Sequence, residues 1–598
     1  MDKELVKCGD YTIAIDRSRD ALFDEMGLRR LRDSYLQPDE DSPQIRFARV
    51  SAALASNEAH AQRLYDYSSQ HWLSYSTPIL SYVPGGRGLP ISCYLTYIHD
   101  SAEGLVDALS EVCYLSMAGG GVGLGIGIRS EDGKSVGVMP HLKTYENVSL
   151  AYRQGTTRRG SFAGYLGIGH PNIKQFIDMR KPTGDASQRC LELHHGVNVP
   201  DAFMEIIKAC MVDADADDSW PLVDPHSGVV KEVVSARELW EAILDSRIRT
   251  GEPYIHFIDA SNEAMPEYQK ALGLSVTQSN ICTEITLPTD RDRTAVCCLS
   301  SPNLEYWDQW RGNYLFVRDI AEMLDNALDL FIRDAPDAVS RAKFSAMRER
   351  AIGVGALGFH ALLQSKGIPF EGALATSLNH QIFSQLRTYL DRASRELAEE
   401  RGPCPDAATV GLMERFSCKM AIAPNASTSI LMGNTSASIE LYRANAYRQD
   451  TLSGSHLHKN KYLDRLLRDR LQGEEYDDAW HGVVKAAGSC QHLTCLTDYE
   501  KLVFKTATEV DQLWVVEHAY ERQQYIDQAQ SLNLFFTADA SIDYMHHVHF
   551  TAWQKRLKTL YYCRSDKIYH GEGTTRHRAA PVEFKRSVDE STCLACEG

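Results

Sequence analysis

Nine consecutive residues, Gly119-Gly120-Gly121-Val122-Gly123-Leu124-Gly125-Ile126-Gly127, alternate glycine with aliphatic side chains. Such a run suits a buried strand whose glycines let another backbone come close. The residues before it, Ser101–Ala118, read as an amphipathic helix with Leu105, Leu109, Val112 and Leu115 on one side and Asp100 as N-cap. Through Gly358, helical segments keep alternating with short apolar runs such as Tyr254–Ile258, the pattern of an α/β protein. Ala53–Trp72, Gln381–Arg401, Asp498–Trp514 and His518–Leu532 carry further helical patterns, and from about Ala375 helix predominates. From Gly573 the chain is polar and rich in arginine and small residues, as a mobile tail would be.

Composition narrows the function. The chain has 598 residues, room for about four domain-sized units or one large core with appendages. With 43% hydrophobic and 24% charged residues it is neither disordered nor fibrous. Lys+Arg 63 against Asp+Glu 80 leaves −17, which disfavours nucleic acid or an anionic membrane as partner. Phosphates must then be held by backbone N–H groups and a few placed cations. The charged start lacks a signal peptide, and no run approaches the roughly 18 apolar residues of a membrane span, so a soluble, cytoplasmic protein is expected. Its 15 cysteines are expected mostly as thiols, about half of them small buried hydrophobes.

Several motifs lead nowhere. Gly353–Gly358 fits G-x-G-x-x-G but follows a helical pattern rather than a strand, with no acid at the ribose position, so close helix packing is expected instead. Glu192-Leu193-His194-His195 holds one E-x-x-H, whereas a di-iron bundle needs two. His546, His547 and His549 lack partners at ligand spacing and read as satisfied helix histidines. Cys593-Leu594-Ala595-Cys596 has no second pair for zinc and is expected to be a redox pair.

The chemistry concentrates in Ser279-Asn280-Ile281-Cys282-Thr283-Glu284-Ile285. In extended backbone Asn280, Cys282 and Glu284 share a face, bringing an amide, a thiol and a carboxylate together. Taken alone, the segment is equally well a half-buried polar strand. It is followed by Val296-Cys297-Cys298-Leu299-Ser300, preceded by Leu89-Pro90-Ile91-Ser92-Cys93-Tyr94, and accompanied near the end by Leu557–Tyr562 and the terminal Cys-x-x-Cys. In order and spacing these motifs, with Ile128-Arg129, a helix containing Arg350–Gly355 and Pro424–Ile430, resemble the large, catalytic subunit of class I ribonucleotide reductases from about Thr77 to Gly598.

The resemblance implies a ten-stranded α/β barrel of the ribonucleotide reductase and glycyl-radical type, residues 89–440. A helical region, 1–88, would precede it; a mostly helical 441–572 and a redox tail, 573–598, would follow. It implies a thiyl radical on Cys282, Glu284 as base toward the 3′-OH, Asn280 holding the ribose hydroxyls, and Cys93 with Cys297 supplying two electrons. Cys298 points to the opposite face of an extended chain and is left out. Tyr561 and Tyr562 would relay the radical from a metal-bearing small subunit, so that this chain needs no cofactor of its own. Cys593 and Cys596 would pass electrons from thioredoxin or glutaredoxin. The ribonucleotide substrate would meet Thr77, Ser92, Gly121 and the loop Pro424, Asn425, Ala426, Ser427 and Thr428, where a helix start favours phosphate. Asp100 and Arg129 would bind a deoxynucleotide or ATP effector, with Arg158 and Arg159 in the loop relaying its identity, at a homodimer interface partly built by helix 101–118.

Only 92 residues precede Cys93, so the N-terminal ATP-binding domain of many members, and inhibition by dATP through it, are not expected. The tail pair is more closely spaced than in several members, and Ala426 stands where some have an acid. Two alternatives compete. A cobalamin or glycyl-radical reductase is opposed by the tyrosine pair and by the lack of an Arg-Val-x-Gly-Tyr motif. A non-catalytic nucleotide-binding or thiol-redox module is opposed by Asn280, Cys282, Glu284, Cys93 and Cys297 occurring together.

Overall fold

The glycine-aliphatic run forms the middle of the fold, as a strand over Gly121–Ile126 with every residue buried. The computed structural model describes residues 3–86, 88–152, 161–451 and 454–565. Among these, one sheet holds nine strands where ten were expected: β1 (Leu73–Tyr75), β2 (Cys93–Ile98), β3 (Gly121–Ile126), β4 (Phe162–Gly167), β5 (His194–Val199), β6 (Tyr254–Phe257), β7 (Ala295–Pro302), β8 (Ile352–Val354) and β9 (Thr559–Leu560). Their order is β8-β7-β2-β3-β4-β5-β6-β9, with β1 also on β7. β2 to β6 run parallel, joined by crossovers that include helices Ala102–Met117, Val138–Ala151 and Ala236–Thr250. Parallel strands buried on both faces need such cover, which explains their apolar composition.

Two irregular segments curl the sheet toward closure. Val354 accepts from Ala421 and donates to Lys419; Ile422 pairs with Ala529 and Ser531; Leu532 accepts from the Tyr561 amide, next to β9. Backbone hydrogen bonds therefore run from β8 through residues 418–422 and 528–532 to β9, giving an α/β barrel.

The helices are broken more often than their patterns suggested. Ala53–Trp72 divides into Pro43–Leu54 and Glu58–Ser69, because the Asn57 side chain caps the second helix. The first fifteen residues contain a hairpin, Glu4–Cys8 with Tyr11–Ile15, rather than helix. Ser101, not Asp100, caps helix Ala102–Met117, accepting from the Gly104 amide. Asp498–Trp514 and His518–Leu532 become Asp498–Val503 and Gln512–Gln523, and residues 528–532 serve barrel closure instead. Arg350–Gly355 is not helical: the helix ends at Glu349 and Ile352–Val354 is β8. Its glycines pack strands, since a Cβ on Gly353 would stand 2.1 Å from Leu299 and 3.2 Å from the Cys297 sulfur. The three late histidines lie on helix Ile542–Gln554, where His546 accepts from Trp240 and His549 from Arg247.

Candidate active site

Residues 277–285 thread through the barrel rather than joining its wall. Asn198 donates to the Thr277 carbonyl, Gln278 to that of Thr96, and Tyr165 to that of Asn280. The Ala529 amide donates to Glu284 O, and the Ser531 hydroxyl to Cys282 O. The glycines of β3 make room: a Cβ on Gly123 would sit 2.1 Å from the Ser279 carbonyl oxygen, and one on Gly125 2.4 Å from the Gln278 side chain. That is the close approach the alternation called for.

The segment is a turn, not the extended strand expected. Thr283 has φ +66°, the left-handed region, and this reverses the chain between Cys282 and Glu284. Asn280 and Glu284 still meet, with Nδ2 2.9 Å from Oε2, but through the turn and not through a shared strand face. Asn280 Nδ2 also lies 3.2 Å from Cys93 Sγ, and the Cys93 thiol 3.6 Å from Glu284 Oε1. Glu284 is buried, and burial pushes its carboxyl up to about 7 against hydrogen bonds from Asn280, Cys93 and Ser531. It can therefore take up or release a proton near neutrality.

Cys93 faces Cys297 directly across the antiparallel pair of β2 and β7. Directly opposed residues have Cα atoms about 4.5–5.5 Å apart, inside the roughly 7 Å limit for a disulfide. Neither is in a disulfide here. Burial pushes the Cys297 thiol well above its ordinary range, and Gln528 Nε2 stands 3.7 Å from its sulfur. Cys298 turns the other way, its thiol donating to the Leu324 carbonyl.

The Cys282 side chain sits among Ala163, Tyr165, Tyr254, Ile281, Tyr561 and Tyr562, an aromatic, buried surrounding. The Tyr561 hydroxyl is 3.5 Å from Cys282 Sγ, and the Tyr561 and Tyr562 ring centroids are 4.3 Å apart. Arg247 donates to the Tyr561 carbonyl and the Cys563 amide to that of Gly251, fixing the pair in place.

Pro424–Thr428 opens a short helix, Ala426–Leu431, after Asn425 in the left-handed region. Asn425 Nδ2 donates to Ser301 Oγ and the Ala356 carbonyl, and Arg30 reaches Ser427 Oγ at 3.2 Å. The buried hydroxyls of Ser92 and Thr428 have no hydrogen-bond partner. Thr77 Oγ1 lies 3.1 Å from Tyr35 OH, and Gly121 pairs with Cys93 in the sheet. Asp100 and Arg129 pair with each other at 2.5 Å. Arg158, Arg159, Cys593 and Cys596 lie outside the described residues. His60, Asp319 and Glu322 form a metal-like triad, yet Arg63 already binds Asp319, and Arg318 and Arg401 bind Glu322.

Tyr165, Tyr254, Gln528, Ser531 and Arg30 escaped the sequence reading. Each belongs to an unremarkable local pattern and reaches the site only through long-range packing.

Two family descriptions match the chain: "Ribonucleotide reductase, barrel domain" over residues 91–412 and 407–563, and "Ribonucleotide reductase, all-alpha domain" over 21–87. The chain is 49% identical to the ribonucleoside-diphosphate reductase large subunit of Invertebrate iridescent virus 3, over 98% of this chain and 100% of the relative. It is 34% identical to that of Invertebrate iridescent virus 6, over 97% of this chain and 96% of the relative. The structure resembles the Actinobacillus ureae class Id ribonucleotide reductase alpha subunit with a TM-score of 0.80 and 32% identity, covering 92% of this chain and 98% of the other.

Proposed function

The chain belongs to the ribonucleotide reductase family, as a ribonucleoside-diphosphate reductase large subunit, and from that premise we propose a thiyl-radical mechanism carried by residues 280–284 with Cys93 and Cys297. Cys282, as a thiyl, takes the 3′ hydrogen atom of the ribose. Asn280 holds the ribose hydroxyls in line, and Glu284 accepts the 3′-OH proton as the 2′-OH leaves. Cys93 and Cys297 together give up two hydrogens, one departing in water and one delivered to C2′, and join as a disulfide. Glu284 gives its proton back to the 3′ oxygen, and Cys282 returns the 3′ hydrogen and regenerates its radical. The observation that carries this reading is the Asn280–Glu284–Cys93 contact set beside the opposed Cys297, with Cys282 against Tyr561.

The diphosphate would be held by Pro424–Thr428 with Thr77, Ser92 and Gly121; the unpartnered hydroxyls of Ser92 and Thr428 support this. Tyr561 and Tyr562 would pass the radical from a separate metal-bearing subunit. The adjacent pair, its rings 4.3 Å apart and tilted by 53°, favours this over a cobalamin route, which needs no tyrosines. Cys593 and Cys596 would re-reduce the disulfide with electrons from thioredoxin or glutaredoxin. A deoxynucleotide or ATP at Asp100 and Arg129 would set substrate choice through the loop with Arg158 and Arg159, in a homodimer. No nucleic-acid or membrane partner is part of this reading. No helix among the described residues is long and apolar enough to cross a membrane.

The test is deoxynucleotide formation by the chain reconstituted with a metal-bearing small subunit, across the four ribonucleoside diphosphates. Cys282→Ser should fold and bind nucleotide yet give no product, because an alcohol O–H is too strong a bond to exchange its hydrogen with the ribose C–H. Steady turnover by that variant would reject the mechanism.

A further inference from the structure

The E-x-x-H fragment that lacks a second half for a metal has another use. His194 and His195 open β5, and both meet Glu252, which lies 58 residues further on, just before β6. Glu252 Oε1 is 2.6 Å from His194 Nδ1; Oε2 is 3.0 Å from the His195 amide and 3.1 Å from His195 Nδ1. Arg180 Nε stands 3.6 Å from Oε1. Burial alone would raise the carboxyl, but Arg180 and the two histidines hold it well below its ordinary range. Glu252 is thus a fully buried carboxylate.

A carboxylate only accepts hydrogen bonds, so the Nδ1 at 2.6 Å carries the hydrogen. The Tyr562 hydroxyl is 3.3 Å from the same nitrogen. The His194 N–H therefore has two acceptors within reach, the carboxylate at short range and the phenol oxygen at longer range. Tyr562 also packs against the rings of Tyr254 at 5.1 Å and Tyr561 at 4.3 Å between centroids, has the Arg564 guanidinium 4.1 Å over its face, and feels the charge of Arg180. A fixed N–H donor at the phenol oxygen matters because oxidising a tyrosine also moves its proton, and the hydrogen bonds at that oxygen determine where and how easily.

We propose that His194, locked by Glu252, is a positioning residue for Tyr562 in the radical relay. This rests on the relay reading above. The hydrogen remains on His194; what the couple provides is a constant ring orientation and one N–H shared between the carboxylate and, more weakly, the phenol oxygen as the radical passes.

Two substitutions separate the N–H from the ring. His194→Phe keeps the edge-to-face packing on Tyr562, 81° at 6.1 Å, and removes the donor. His194→Asn sets an amide N–H close to where Nδ1–H stands. Turnover is measured with the reconstituted small subunit. Independently of turnover, 3-nitrotyrosine is incorporated at position 562 and titrated by absorbance in the isolated full chain. A donor at the phenol oxygen favours the phenolate, so His194→Phe should raise the nitrophenol pKa by about one unit and cut turnover at least about tenfold. His194→Asn should recover most of both. Unchanged turnover and titration in His194→Phe would overturn the proposal, as would equal loss in both variants, which would mean that restoring an N–H at this position restores nothing. Tyr562→Phe serves as control. If it is inactive while His194→Phe is unimpaired, only the role of His194 falls; if it turns over fully, the relay falls and this role with it.

Discussion

At the residue scale the role proposed for Glu284 sets catalysis against stability. Its carboxyl is raised from 4.5 to about 7, first by burial. The folded state therefore holds the proton more tightly than the unfolded chain. Stability from this group is full below about pH 4.5, falls as pH rises, and reaches its minimum above about 7. The difference of some 2.5 units corresponds to about 3 kcal/mol. Glu284→Gln cannot ionise, so by denaturant melts it should gain up to about 3 kcal/mol over the wild type at pH 8 and nothing at pH 4. The same variant should make no deoxynucleotide. In the wild type, kcat/KM should rise with pH through about 7, because the base works only when ionised. A flat acidic limb between pH 6 and 8 would exclude Glu284 as the base.

At the scale of elements, the glycine alternation in β3 has a direct cost attached to its loss. A methyl on Gly123 would collide with the backbone oxygen of Ser279, which no rotamer change can move. The 277–285 segment would have to shift outward, carrying Asn280 and Cys282 with it. Gly123→Ala should lose about 1–3 kcal/mol to overpacking and at least about a hundredfold in turnover, since roughly 1 Å of misplacement costs that much. Gly133→Ala is the matched control: nothing lies within 4 Å of its Cβ, and it should melt and turn over like the parent. Comparable damage at both positions would show that β3 does not seat the segment.

For the whole molecule, the homodimer and the electron route proposed above each make a prediction. Helix Ala102–Met117 buries Val112 and Leu115 but exposes Val106 at 65%, Tyr114 at 43% and Met117 at 40%. Such a face is expensive in water, which supports the homodimer reading. Val106→Glu should shift sedimentation from dimer to monomer and weaken effector response while leaving the monomer's melting point within a few degrees. A dimer that survives Val106→Glu together with Tyr114→Glu would move the interface elsewhere. At the far end, Cys593→Ser/Cys596→Ser should reduce thioredoxin-driven turnover to a single burst while a small dithiol still sustains some activity. Multiple turnover with thioredoxin in the double variant would remove the tail from the electron path.

Local chemistry was legible wherever it depends on neighbours in sequence. Alternation along a strand separated Cys297 from Cys298, glycine spacing announced a close backbone approach, and the order of cysteine, Asn-x-Cys-x-Glu and tyrosine motifs pointed to the activity. What those spacings could not contain is how distant segments meet. Thr283 adopts φ +66° because its neighbours are tied to Ser531, Ala529 and Tyr165, so a turn replaced the strand that period two suggested. Residues 528–532 read as helix and became part of the barrel wall, since their backbone groups are taken by Ile422 and Tyr561. Glu252 gave no sign of meeting His194, because two adjacent parallel strands bring together residues separated by a whole crossover. The sequence by itself determined which functional groups this protein carries and their local periodicity; barrel closure alone decided which of them touch, because the hydrogen bonds that hold the active segment come from strands far apart along the chain.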